Sequence, residues 1–480
     1  MTTTDKKTSP TDVPVGVGFR SERGPVLISL MLATSLVALD STIIATAVPS
    51  VVKTLGGFAE FPWLFSIYLL AQAVSVPIYA KVADMFGRKP VILLGIGLFL
   101  VGSILCGVAW SMPALIAFRA LQGLGAGAVQ PMSITIVGDI YTLQERARVQ
   151  GYLASVWGIS AVVGPALGGV FSEWVSWRWI FFVNIPMCFL AGWMLWRRFH
   201  ENVVRQPHRI DYLGAVLLTV GCSLLILGLL EGGQSWAWDS AVGISVFVIG
   251  LLSLTAFVFV ERGAAEPVLP LWIFRRRVLV SGSAVSLAVG AVLLGLTSYV
   301  PTYVQTVLGA GPLVAGFALA TLTIGWPIAA SLAGRLYLRI GFRSTVLIGG
   351  AVALAGTALT VGLGRHSSIW TVGIDCFVIG VGLGLVASPT LVAAQSSVGW
   401  AERGVVTGTN MFSRSIGSAV GVALFGALAN SVLNASGHPD QSAAAVNVAS
   451  HHVFVAIVVA CAVMVLASVL LPARRNQVVV

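Results

Sequence analysis

Charge is what this sequence has least of. Only 10% of its 480 residues are Asp, Glu, Lys or Arg, against about 25% in a soluble domain. So few charges cannot build a water-facing surface, which excludes an ordinary soluble enzyme or scaffold. Cysteine is scarce too: Cys106, Cys188, Cys222, Cys376 and Cys461 all lie within or at the edge of apolar runs. Their odd number, with no Cys-x-x-Cys and no Cys/His cluster, excludes a disulfide framework and a metal site. There is no Gly-rich phosphate loop ending in Lys-Ser/Thr, so nucleotide does not drive the protein directly. No polar stretch is long enough for a soluble catalytic domain, so we expect no enzyme activity and no cofactor.

What is there is apolar: 57% of the residues, with a mean hydropathy of +0.93. A bilayer must replace water over most of such an exterior, and crossing it takes roughly 20 helical residues. Runs of that kind occur near 26–48, 61–80, 91–110, 113–138, 148–171, 179–196, 212–231, 241–260, 279–303, 314–334, 345–363, 369–394, 405–429 and 452–471. Ala45-Thr46-Ala47 mimics a leader cleavage site, but Asp40 interrupts the preceding run. We read that run as the first spanning helix.

The net charge of +10 suggests a nucleic-acid partner only if the bases cluster on a surface. Here they sit in short gaps between the runs and read as topology signals. With the N-terminus placed in the cytoplasm, 23 of the 28 Lys and Arg fall on the cytoplasmic side, three fall outside and two lie inside helices. That asymmetry predicts fourteen spans with both ends cytoplasmic.

The chain repeats itself. Gly123-x-Gly125-x-Gly127 returns as Gly380-x-Gly382-x-Gly384, and Glu145-Arg146 as Glu402-Arg403, each displaced by 257 residues. Ala80-x-Val82-x-x-x-x-Gly87 returns as Gly334-x-Leu336-x-x-x-x-Gly341, displaced by 254. Two similar halves around a central path is a transporter plan. We expect a cytoplasmic N-tail over 1–24, a six-helix bundle over 25–200 and an inserted two-helix linker over 201–277. A second six-helix bundle over 278–472 and a C-tail over 473–480 complete the chain.

Six strings carry a resemblance. Ala80-Lys81-Val82-Ala83-Asp84-Met85-Phe86-Gly87-Arg88-Lys89 resembles the loop signature of the major facilitator superfamily. Arg119-Ala120-Leu121-Gln122-Gly123 is similar to its fourth-helix signature, and Leu39-Asp40-Ser41-Thr42 to the first-helix signature of its drug exporters. Gly158, Gly164, Pro165, Gly168 and Gly169 make a fifth-helix string similar to that of antiporters. Trp177–Pro186 and Asp211–Gly214 match the fourteen-helix exporters more weakly. Ala80 departs from the family's usual Gly, and Leu338 stands where the second copy would carry the acid.

The resemblance implies an all-α polytopic membrane protein of the major facilitator fold, a fourteen-helix drug:proton antiporter. It implies a cytoplasmic latch of Asp84, Gly87, Arg88 and Lys89, for which Asp139 is a further partner on our reading. It implies proton coupling through Asp40 and Arg119, with Gln122 on the same helical face. The residues say the same independently. Asp40 has only apolar neighbours on its own helix, and its depth matches that of Arg119. Burial favours a neutral acid and a nearby guanidinium favours a carboxylate, so such a pair can load and release a proton. Asp375 and Arg414 lie within about 6 Å of one another in depth, and we expect a second pair there.

For substrate contact, Tyr68, Gln72, Ser75 and Tyr79 form a stripe on the second helix. Trp63, Tyr299, Tyr303 and Trp326 are further candidates. Aromatic faces suit flat or cationic ligands. We therefore expect export of amphipathic or cationic small molecules in exchange for protons, from the bacterial inner membrane, by a monomer. Export of one endogenous metabolite, lipid or peptide is the alternative, and a non-transporting sensor a more distant one.

Overall fold

The computed structural model describes residues 18–56, 63–201, 211–233, 236–435 and 443–472. The expected C-tail (473–480) and residues 1–17 of the expected N-tail lie outside the described residues. Among the described residues fourteen helices are long and apolar enough to cross a membrane. They are α1 (Gly24–Leu55), α2 (Trp63–Phe86), α3 (Arg88–Gly107), α4 (Met112–Ile140) and α5 (Leu143–Val170). Next come α6, in two segments (Trp179–Phe182 and Asn184–Arg198), α7 (Tyr212–Glu231) and α8 (Ala241–Gly263). The last six are α9 (Arg277–Thr306), α10 (Pro312–Ile340), α11 (Phe342–Val361), α12 (Ile369–Ser396), α13 (Arg403–Ala435) and α14 (Ala443–Val469). No strand occurs among the described residues, so the backbone is satisfied within each span, as a bilayer requires.

The repeat reappears as packing. In the first bundle α1 packs on α5 and α6, and α4 on α2 and α3. In the second, α9 packs on α13 and α14, and α12 on α10 and α11. The repeated glycines explain why. Gly123 and Gly127 face the backbone of α2, and Gly125 faces α3. A Cβ on Gly125 would lie 2.7 Å from the Gly95 carbonyl oxygen. In the second copy Gly380 and Gly384 face α10, and a Cβ on Gly382 would lie 2.6 Å from Ala353 Cα on α11. Spacing i, i+2, i+4 thus lets one helix approach two neighbours closely.

Gly87 and Gly341, equivalent by the repeat, start α3 and α11 with φ of 99° and 88°. With ψ of 159° and 164°, both occupy a backbone region open essentially to glycine alone. The same sharp turn therefore joins α2 to α3 and α10 to α11. We call the end of the molecule that carries these turns the basic end.

The bundles meet along two seams, α5 on α10 and α2 on α13. The inserted helices pack on each other, and α7 also touches α2 and α13. It buries Leu218, Cys222 and Ile226 in a cluster with Leu70, Val74, Val406 and Met411.

Candidate functional site

Two charged networks stand out, one inside the first bundle and one across the bundles. In the first, Arg119 Nη1 lies 2.6 Å from Asp40 Oδ2, and both side chains are 1% exposed. Gln122 ties the pair together. Its Nε2 donates to Asp40 Oδ1 at 2.9 Å, and its Oε1 accepts from Arg119 Nη1 at 2.7 Å. Gln122 Nε2 also donates to Ser103 Oγ on α3 at 2.9 Å, and Asn184 Nδ2 on α6 donates to the same oxygen at 3.4 Å. Arg119 Nε donates to the Leu64 carbonyl at 3.2 Å, and its guanidinium lies 4.1 Å over the Tyr68 ring. Asp40 and Arg119 are therefore in contact, as their matched depths suggested. Ser103 and Asn184 were not anticipated. Asn184 sits in the Trp177–Pro186 string, which carried only a weaker resemblance and no assigned role.

The second network lies at the basic end. Asp84 Oδ1 accepts from Gly404 N at 3.0 Å and Oδ2 from Val405 N at 2.7 Å. An acid of the first bundle thus caps the N-terminus of α13 in the second, where free amides and the helix dipole favour it. Arg88 Nη2 donates to Asp84 Oδ1 at 2.7 Å and to the Trp400 carbonyl at 2.6 Å. Its guanidinium lies 3.9 Å over the Trp400 ring, and its Nε is 3.0 Å from Asp139 Oδ2. Arg403 returns the favour from the other bundle. Its Nη1 donates to the Gly138 carbonyl at 2.9 Å and to Asp139 Oδ1 at 3.2 Å. Arg146, the repeat partner of Arg403, reaches Ser396 Oγ at 3.4 Å.

Lys89 takes no part across the seam: its Nζ donates to the Trp196 carbonyl on α6 at 2.8 Å. Trp400, Arg403 and Arg146 are the latch partners that motif reading missed, although the repeated Glu-Arg was the signal for two of them. The second copy of the loop is apolar. Leu338, Tyr337 and Phe342 cluster with Leu143 of α5 and Val392. Tyr337 stacks on Phe342 at 4.7 Å and donates its hydroxyl to the Leu143 carbonyl at 3.3 Å.

Other expectations are corrected. Asp375 and Arg414 form no ion pair. On ideal helix geometry, Asp375 is about 200° around α12 from Gln395, and Gln395 is the residue that meets Thr407 of α13. Equal depth was not enough, because the side chain points the other way. The α2 stripe does not face an open path. Tyr68 is 2% exposed beneath Arg119, and Ser75 is buried against Gly127. Gln72 is half-buried and donates to Gln130 Oε1 at 2.9 Å. Tyr303 is a core residue. It is 1% exposed, edge-on to Phe454, with its hydroxyl on the Gly364 carbonyl at 2.8 Å. Trp63, Tyr299 and Trp326 remain half-buried.

The fifth-helix string divides between two tasks. Gly158 faces Thr323 and Pro327 of α10 across the seam. Gly164 instead faces Thr42 of α1 in its own bundle, where Thr42 Oγ1 donates to the Ser160 carbonyl at 2.9 Å. The helix runs on through Pro165 and the buried Gly168, and a Cβ on Gly169 would meet open space. Within this string it is Gly158 that faces the seam.

The hydrogen bonds and ion pairs described between the bundles all lie at the basic end. The molecule is sealed there. Two bundles related by a repeat are thus tied to each other at one end.

Comparison with known proteins agrees. Residues 30–422 match the family model of the Major Facilitator Superfamily. Multidrug resistance protein 3 of Bacillus subtilis (strain 168) is 33% identical over 407 residues, which are 85% of this chain and 80% of that protein. Multidrug transporter protein MdtP of the same organism is 33% identical over 413 residues, 86% and 76% of the two chains. The crystal structure of human MFSD10 superposes with a TM-score of 0.66 at 16% identity, covering 94% of this chain and 99% of that one. That likeness concerns the fold alone. From its helices, its repeat and these relatives, the chain is a multi-pass membrane transporter and belongs to the Major Facilitator Superfamily.

Proposed function

We propose that this transporter exports small amphipathic molecules in exchange for protons, by alternating access. The observation that carries the reading is the Asp40–Arg119–Gln122 network, a titratable pair held dry inside an otherwise apolar bundle. A charged pair in the hydrocarbon region is costly and marks a functional site by default. Protonation of Asp40 removes the counter-charge of Arg119. The guanidinium then has reason to seek another partner, and the packing of α1 on α4 changes. The proton gradient supplies the drive, and no cofactor is needed. Multidrug and efflux names among the relatives support export.

The basic end faces the cytoplasm of a bacterial inner membrane on this reading, because Lys and Arg accumulate on that side of spanning helices. The sealed state is then the outward-facing one. One chain contains both bundles, so a monomer suffices. Reporter fusions before residue 24 and after residue 472 check the orientation. Cytoplasmic signals are expected from both, and an external signal from either overturns it.

The function itself is tested in proteoliposomes with an imposed pH gradient and a panel of amphipathic dyes. Saturable dye movement is expected that collapses when a protonophore dissipates the gradient. Movement of no dye, together with movement of a cell-derived metabolite, lipid or peptide, favours the narrower exporter.

A further inference from the structure

Two carboxyl groups meet at the basic end of the inserted helices with no donor between them. Asp211 caps the N-terminus of α7, and its Oδ1 accepts from Gly214 N at 2.8 Å. Glu261 comes from the last turn of α8 and is 3% exposed. Its Oε1 accepts from Leu269 N at 2.5 Å. The remaining oxygens, Asp211 Oδ2 and Glu261 Oε2, are buried and have no hydrogen-bond partner among the described residues. They meet over Gly214. A Cβ there would lie 2.9 Å from Glu261 Oε2 and closer still to Asp211 Oδ2.

Among the described residues no base pairs with either acid. Lys81 of α2 and Glu266 are the other charged groups turned toward this corner, and they answer each other, with Lys81 Nζ 3.9 Å from Glu266 Oε2. Arg262 is exposed and lies over the Phe259 ring, and Tyr212 is turned out to the surface.

The segment that Glu261 holds crosses a seam. Residues 264–276 join α8 to α9. Val268, Leu269 and Ile273 are buried in the cluster that also contains Val74 of α2 and Val406 of α13. Glu266 ties the near end of this connector to the first bundle through Lys81. At the far end Arg276 Nη1 donates to the Ser397 carbonyl at 3.2 Å and lies 3.9 Å from Glu402 Oε2, both in the second bundle. The connector therefore straddles the α2–α13 side at the basic end.

Two carboxylates facing each other in a buried site cannot both stay ionised, and one proton between them relieves the repulsion. The capping amide and the helix dipole favour the charged form at Asp211. The proton then sits on Glu261 Oε2 and is donated to Asp211 Oδ2. We propose that Asp211 and Glu261 bind one shared proton, in an acid site separate from Asp40 that fastens the connector across the seam. Rising pH removes that proton, leaves two like charges over Gly214, and drives Glu261 away from Leu269 N.

The test uses the purified full chain and amide substitutions. Glu261→Gln alone puts an N–H where the proton stood, and so does Asp211→Asn alone. Each single variant is expected to keep the wild-type thermal midpoint at neutral pH or to exceed it. The double variant sets two NH2 groups face to face, because Gly214 N and Leu269 N hold the amide oxygens. Its midpoint is expected to fall about 2 °C or more below either single. Singles that fall as far as the double overturn the proposal, because both acids are then held as carboxylates by a cation. A double variant more stable than both singles also overturns it, because the pair is then simply repulsive.

A second readout follows the connector. Val268→Cys is labelled with a soluble thiol reagent in the wild-type and Glu261→Gln backgrounds, and the chain without the reporter is subtracted. The ratio of the two rates cancels the thiol's own response to pH. It is expected to be near one at about pH 5 and to rise at least about threefold by about pH 9, a range that brackets raised carboxyl values. A ratio that stays flat overturns the proposal. Neither measurement involves transport, so the site stands or falls apart from the export reading.

Discussion

Asp40→Asn loses gradient-driven export while keeping substrate counterflow. The rate under an imposed pH gradient falls about a hundredfold, the low end of what a positioned proton carrier contributes. Asn keeps the shape of Asp, but it cannot titrate. It has one acceptor oxygen where Asp40 uses two, so it holds only one of the donors from Arg119 and Gln122. The substitution is not free, because Arg119 loses its counter-charge while 1% exposed. Breaking a buried pair costs about 3–5 kcal/mol, so the thermal midpoint falls as well. Counterflow separates the two effects, since it needs a folded carrier but no net proton movement. Asp40→Glu restores a titrating group and should recover part of the driven rate. Uphill export at the wild-type rate in Asp40→Asn places the relay elsewhere. Loss of counterflow in both variants makes Asp40 a structural tie.

Arg88→Ala unlocks the basic end. Arg88 is fully buried, and its removal leaves Asp84 short of its ion pair and Asp139 with Arg403 alone. It also strips the cation from the Trp400 ring and the donor from the Trp400 carbonyl. An uncompensated buried charge costs about 3–5 kcal/mol, and here the loss falls on the closed state across the seam. A reporter Thr407→Cys, buried beneath Gln395, should gain thiol labelling from the basic side in Arg88→Ala. Arg88→Lys keeps the charge but loses the planar fork and its stacking, so labelling should be intermediate. Unchanged labelling and an unchanged thermal midpoint in Arg88→Ala would mean that the seam closes without it.

The fourteen spans were legible because hydrophobic length is a property of the chain itself, and the repeat located both bundles. The Asp40–Arg119 contact was legible because Asp40 has only apolar neighbours on its own helix and Arg119 lies at a matching depth. The failures share one cause. Depth along a helix follows from residue number, but azimuth drifts with every turn and depends on the neighbour. Asp375 matched Arg414 in depth and missed it in direction. Tyr68 and Tyr303 read as cavity aromatics because the sequence does not show Arg119 or Phe454 lying against them. The second side of the latch was missed for a different reason. Its donors and acceptors are largely backbone groups, at Trp400, Gly404, Val405 and Gly138, and backbone groups leave no trace in a motif.

The two copies of the basic-end loop are held by different forces. The first copy, around Asp84 and Arg88, is ionic, and the second, around Tyr337, Leu338 and Phe342, is apolar and aromatic. Apolar contact weakens on cooling. A buried ion pair is screened little by salt, and its desolvation cost falls with rising temperature. Chilling therefore loosens the α5–α10 side first, and warming shifts the hold toward the α2–α13 side. The two seams become thermal opposites, so the closed end stays shut over a wider temperature range than either contact alone would allow.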